Sequence, residues 1–131
     1  MIGTEKLLGT RTALATLGVR DLKAAKEFYE HTLGLKPTET REDSVQGYRT
    51  GDSVILIYSS QFAGTNRATA ATWVVGEEIV DVVQSLKSKG VRFEHYDLPG
   101  TQRDGDIHVS GGTRAAWFKD PDGNILSLVN G

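Results

Sequence analysis

The chain has 131 residues, 15 basic and 17 acidic side chains, a formal charge of −2 and no cysteine. That balance excludes the basic footprint of a nucleic-acid or anionic-membrane binder, and the missing cysteine excludes disulfides, thiolate metal sites and a cysteine nucleophile. Hydrophobic residues at 38 % and charged residues at 24 % are the composition of a globular domain, not of a disordered chain.

No apolar run approaches the roughly 20 residues that a helical membrane span requires. Met1 to Arg20 contains no stretch of the signal-peptide type. We therefore expect a soluble cytoplasmic protein with no nucleic-acid and no membrane partner.

Ala13 to Val19 alternates with Ala15, Leu17 and Val19 on one face, the period of a half-buried strand. Asp21 stands where an N-cap belongs. Leu22, Ala25, Phe28, Tyr29 and Leu33 follow at helical spacing, and Gly34 suits the left-handed position that ends a helix. Val45 to Thr50 and Val54 to Ser59 read as two strands around the Gly51-Asp52 turn.

The same order then begins again. Thr69 to Val75 is strand-like, Glu77 or Glu78 opens a helix with Ile79, Val82, Val83 and Leu86 on its apolar stripe, and Gly90 closes it. Val91 to Tyr96 resumes a strand. Ala115 to Phe118 and Ile125 to Val129 form a hairpin around Asp120-Pro121-Asp122-Gly123-Asn124, a dense turn signal. Val19 and Val75 are 56 residues apart, as are Gly34 and Gly90, which points to an internal duplication. The expected architecture is a single α+β domain over 1–131 with two βαβββ modules, module one about 10–60 and module two about 69–131. Pro99 to Thr113 reads as a polar, glycine-rich insert of module two, long enough for a lid.

Two stretches carry a resemblance. The first is Val19-Arg20-Asp21-Leu22, then Phe28-Tyr29, then Leu33-Gly34-Leu35; the second is Ala116-Trp117-Phe118-Lys119-Asp120-Pro121-Asp122-Gly123-Asn124-Ile125-Leu126. Together they resemble the vicinal oxygen chelate superfamily of glyoxalases, bleomycin resistance proteins and extradiol dioxygenases, over essentially the whole chain. The resemblance implies a cupped mixed sheet made of two modules, usually completed in a homodimer. In metal-using members four His, Gln or Glu ligands point into the cup, where the ion binds two adjacent substrate oxygens and stabilises an enolate-like charge.

The residues at the positions so implied are Leu14 and Ala70, seven before Asp21 and Glu77, and Leu56 and Ser127 in the strands after the hairpin turns. Three are hydrocarbon and one is a hydroxyl, so no standard metal site is expected, and no cofactor. His31 suits the end of a helix. His95 and His108 read as surface residues, His108 within the lid, and no histidine pair has a recognised metal spacing.

Alternation along the strands turns Thr16 and Thr72 toward the cup, with Leu56 and Tyr58 on the facing strand and Trp117 and Ser127 on the closing hairpin. Trp73 takes the opposite parity and belongs under a helix. Tyr48, Tyr96 and Arg114 are candidates for the rim. This ligand-binding set suits an apolar or aromatic small molecule. The leading expectation is a metal-independent binding protein and homodimer resembling the bleomycin resistance proteins, which neutralise a compound by holding it. The alternative is a glyoxalase-, isomerase- or dioxygenase-like enzyme with an atypical metal site or acid/base pair, for which no catalytic residue is marked. A third reading is a dimer whose cup is filled by its own side chains.

Overall fold

The computed structural model describes residues 3, 7–40 and 43–131. Its first sheet has the order β1-β4-β3-β2, from β1 (Ala15–Val19), β2 (Lys36–Pro37), β3 (Val45–Thr50) and β4 (Ser53–Ser59). The second has the order β5-β10-β9-β8-β7, from β5 (Thr69–Val74), β7 (Gln102–Asp104), β8 (Ile107–Ser110), β9 (Thr113–Lys119) and β10 (Ile125–Val129), with β6 (Phe93–Glu94) also on β9. In each module the first strand runs parallel to the last, and the two strands of the hairpin are antiparallel. β1 and β5 approach one another, so the two separate sheets meet along these strands.

Helix α1 (Leu22–Lys26) starts at Asp21, whose carboxylate accepts the Ala24 N–H at 3.1 Å. The expected helix continues past Lys26, but as a π-helical segment over Glu27–Thr32. The Leu33 N–H donates to the Phe28 carbonyl at 2.9 Å, five residues back. The wider turn brings Phe28 and Tyr29, adjacent in sequence, onto the core side with their rings edge to face at 5.3 Å. Helix α2 (Ile79–Ser88) follows a 3₁₀ turn at Gly76–Glu78. It ends at Gly90, with φ +94°, and the Val91 N–H returns to the Leu86 carbonyl at 3.0 Å.

One apolar core runs between the helices and the sheets, from Leu17, Val19, Ile55 and Ile57 of module one to Phe118, Leu126 and Leu128 of module two. Tyr48, expected at the rim, belongs to this core. It is fully buried, stacks on Tyr29 at 5.9 Å and donates its hydroxyl to Glu30 at 2.7 Å. The parity of β3 decides this: Tyr48 pairs with Ile55, which faces the helices.

The Asp120–Asn124 turn joins the modules. Asp120 is buried, and its carboxylate accepts hydrogen bonds from the amides of Asp122 and Asn124, each at 2.9 Å, and from the Asn124 side-chain amide and the Tyr29 hydroxyl, each at 2.8 Å. Asn124 also donates to the Gly18 carbonyl at 2.8 Å, and the Asp122 carboxylate accepts the Arg20 N–H at 3.0 Å. Gly64, with φ +71°, sits so close to the Asp122 carbonyl that any Cβ would overlap it. Burial first, and the Asp120 charge second, push the Tyr29 phenol far above its usual range, so it stays a donor.

The expected lid is instead a β-hairpin. β7 and β8 extend the second sheet, because Ile107 and Val109 alternate onto the core side and His108 onto the other. Asp106 at its tip ties the hairpin to α2 through Lys87 Nζ at 2.8 Å, and to His95 Nε2 at 2.8 Å. The hydrogen bond from Lys87, then that from His95, holds the Asp106 carboxyl below its ordinary 3.8.

Two outcomes are expected. Asp120→Ala leaves the Tyr29 hydroxyl, the Asn124 side-chain amide and two backbone amides without their acceptor, so urea unfolding should show a loss of about 2–4 kcal/mol. Asp106 has a lowered folded pKa, so its stabilisation is complete above the unfolded value and fades as pH falls through the folded one. Lys87→Met should move the Asp106 carboxyl titration, followed by NMR, to higher pH; an unmoved titration would contradict the docking role of Lys87.

Candidate functional site: an aromatic wall beside a hydroxyl pair

Strand register places the same two positions at corresponding points of each module. Thr16 pairs with Leu56 across β1 and β4, and Thr72 pairs with Ser127 across β5 and β10. All four lie on the face away from the helices. In module two the hydroxyls of Thr72 and Ser127 are 2.6 Å apart, and Ser127 is buried. In module one Thr16 is exposed and caps only the Leu14 carbonyl, at 3.3 Å, while Leu56 is half-buried. Tyr58 stands exposed on the same face, one alternation along β4.

Next to Ser127, on β9, is Trp117. Its indole N–H donates to the Thr69 hydroxyl at 3.1 Å, and its ring meets Tyr96 edge to face at 5.4 Å. Behind it is His108, which the sequence places within the expected lid. It is 2 % exposed, perpendicular to the Trp117 ring at 4.9 Å, and its Nε2 accepts the Tyr96 N–H at 2.9 Å. The signal that would have found it is the alternation Ile107-His108-Val109, obscured by the glycines and aspartates around it. Burial first, then the Glu94 charge, raise the Tyr96 phenol above its usual value, with Lys119 opposing, so it stays protonated and able to donate.

Seven of the nine sequence-predicted residues therefore lie on the cup face: Thr16, Leu56 and Tyr58 on the first wall, and Thr72, Ser127, Trp117 and Tyr96 on the second. Tyr48 is core, as above. Arg114 is the other correction: it shares the parity of Ala116 and Phe118, on the helix side of β9, and its backbone pairs with Asn130 at the strand end. Trp73 packs on the helix side among Leu33, Val82 and Leu86 and donates to the Thr50 hydroxyl at 2.9 Å. A cleft of about 510 Å³ opens between β1 and β5, bounded by Ala13, Val54, Thr72 and Val74. It touches the hydroxyl pair but not Trp117; the aromatic wall is an open face of the sheet.

The positions that the family resemblance implies for metal ligands carry Leu14, Leu56, Ala70 and Ser127, and the Ser127 hydroxyl is engaged by Thr72. Hydrocarbon cannot coordinate, and one hydroxyl already hydrogen-bonded is a poor ligand, so this donor set does not fit a divalent transition metal. Among the described residues no group of three or more His, Asp or Glu side chains converges on a possible metal position. No helix of the described residues is long and apolar enough to cross a membrane.

Comparison with solved structures shows the fold repeatedly. A fosfomycin resistance protein FosX from Listeria monocytogenes, in a complex with Mn(II) and sulfate, matches 93 % of this chain and 90 % of its own at 18 % identity and TM-score 0.70. FosX from Mesorhizobium loti matches 93 % and 92 % at 14 % identity and TM-score 0.67. Lactoylglutathione lyase from Agrobacterium tumefaciens matches 92 % of each chain at 16 % identity and TM-score 0.68. No curated protein sequence matches the chain. A family comparison matches residues 11–128, nearly the full length and both modules. The chain belongs to the Glyoxalase/Bleomycin resistance protein/Dioxygenase superfamily.

Proposed function

We propose that the protein binds an apolar or aromatic small molecule against the cup face without a metal, in the manner the resemblance to bleomycin resistance proteins implies. The observation that carries this reading is the Trp117–Tyr96–His108 aromatic wall beside the Thr72–Ser127 hydroxyl pair, on a face whose ligand-equivalent positions are non-coordinating. An indole face offers stacking area, and a few fixed polar groups set orientation, the usual composition of a small-molecule site. Tyr58 and Leu56 supply apolar surface on the opposite wall.

The same reading includes a homodimer in which the second copy covers the open cup. Val74, Tyr58 and Leu14 are large apolar side chains left exposed along that face at 71 %, 40 % and 40 %. Two-fold pairing is the commonest way to cover such a surface.

Trp117→Ala should weaken a true aromatic ligand by about 0.5–1.5 kcal/mol, roughly two- to twelvefold, in calorimetric titration. Ligand quenching of fluorescence should disappear in Trp117→Phe and survive in Trp73→Phe; the reverse pattern would place the ligand on the helix side of the sheet. Light scattering at micromolar concentration should report a dimer, and a 14.2 kDa monomer would overturn the two-chain cup.

A further inference from the structure

We infer that His108 is the polar anchor of the cup, donating from Nδ1 to an oxygen acceptor, carbonyl or carboxylate, carried by a flat aromatic ligand stacked on Trp117. This deepens the binding reading above and rests on it. His108 is 2 % exposed, and its pairing with Ala115 across β8 and β9 puts it on the same face as Trp117 and Ser127. Its Nε2 accepts the Tyr96 N–H at 2.9 Å. A ring nitrogen that accepts carries no hydrogen, so the proton of the neutral imidazole is on Nδ1. That nitrogen is buried and has no hydrogen-bond partner among the described residues.

A buried donor without an acceptor is costly, and such groups in native proteins are uncommon. A phenylalanine would fill the same space without the orphan. The rings around His108 are those of Trp117 at 4.9 Å, Tyr96 at 6.1 Å and His95 at 6.5 Å. They present π surface, and none of them hydrogen-bonds to Nδ1. The chemistry that completes this arrangement is a π system bearing an oxygen acceptor.

Access is through Trp117. Its one side-chain hydrogen bond goes to Thr69, an exposed residue at the start of β5, where the pairing with β10 shifts register between Ile125 and Leu126. A ligand that displaces this half-buried indole would reach the imidazole beside it.

The test uses a matched pair of probes that differ by one acceptor, acetophenone and ethylbenzene, titrated into full-length ¹⁵N-labelled protein. Both should quench Trp117 fluorescence. Acetophenone should bind at least fivefold more tightly and should shift the His108 Nδ1 resonance in imidazole ¹H–¹⁵N spectra, while ethylbenzene leaves it in place. His108→Phe should bring the two affinities together. The wild-type spectra need no variant, so a His108→Phe protein that fails to fold still leaves a decisive measurement. If ethylbenzene binds at the cup and acetophenone binds no tighter, or leaves Nδ1 unmoved, the anchor role is wrong and the binding reading stands. If neither probe binds, both fall.

Discussion

The buried carboxylate of Asp120 is the constraint on which the two-module arrangement depends. A lone buried charge would be strongly unfavourable, and here its oxygens are satisfied by four donors, three from its own turn and one from Tyr29 in the other module. The first three shape the β9–β10 turn; the fourth ties that turn to the helix of module one. Asn124 and Asp122 extend the tie to Gly18 and Arg20, at the end of β1. The close approach of Gly64 to the same turn brings the connection between modules into the joint. With β1 and the closing hairpin held in this way, the cup faces of both modules have a defined relation.

The two walls are built alike and furnished differently. Thr16–Leu56 and Thr72–Ser127 occupy matching registers, and the next strand opposite contributes Gly47 in one module and Trp117 in the other. A Cβ at Gly47 would meet the Thr38 hydroxyl, so a larger residue there would need that side chain to turn away. Module one therefore has no ring at the position where module two carries Trp117. The β7–β8 hairpin, which has no counterpart in module one, deepens the difference by placing His108 behind Trp117. The frame is thus repeated between the modules, and the aromatic and polar groups concentrate on one side.

The non-coordinating positions and the aromatic wall lie on the same face. Catalysis of the superfamily's metal-dependent kind needs several donors converging on one point. Leu14, Leu56 and Ala70 offer only hydrocarbon there. Stacking and a few hydrogen bonds need no such convergence, only a rigid surface with its polar groups fixed, and the Thr72–Ser127 and Trp117–Thr69 hydrogen bonds fix them.

Much of this was legible in the order of residues. Period-two alternation in Ala15–Val19 and Thr69–Val74, the Asp21 cap, and Gly34 and Gly90 follow from local sterics and hydrogen bonding, which do not depend on distant residues. The same alternation sorts Thr72 and Trp117 from Trp73 and Phe118. It was not carried through β3, the start of β9 or β8: Tyr48 and Arg114 read as rim candidates although their strand partners place them on the helix side, and His108 as part of the expected lid. A lone polar residue between two β-branched ones does not reveal whether water or protein covers it. That depends on which strand pairs beside it, and only the packing of β8 on β9 settled it. The repeat, the helix ends and the identity of the ligand-position residues were thus determined by the sequence alone. The contact of His108 with Tyr96, the hydrogen bond from Tyr29 to Asp120 and the contact of Trp117 with Tyr96 were decided by tertiary structure, because each joins residues 12 to 91 positions apart whose meeting no local pattern encodes.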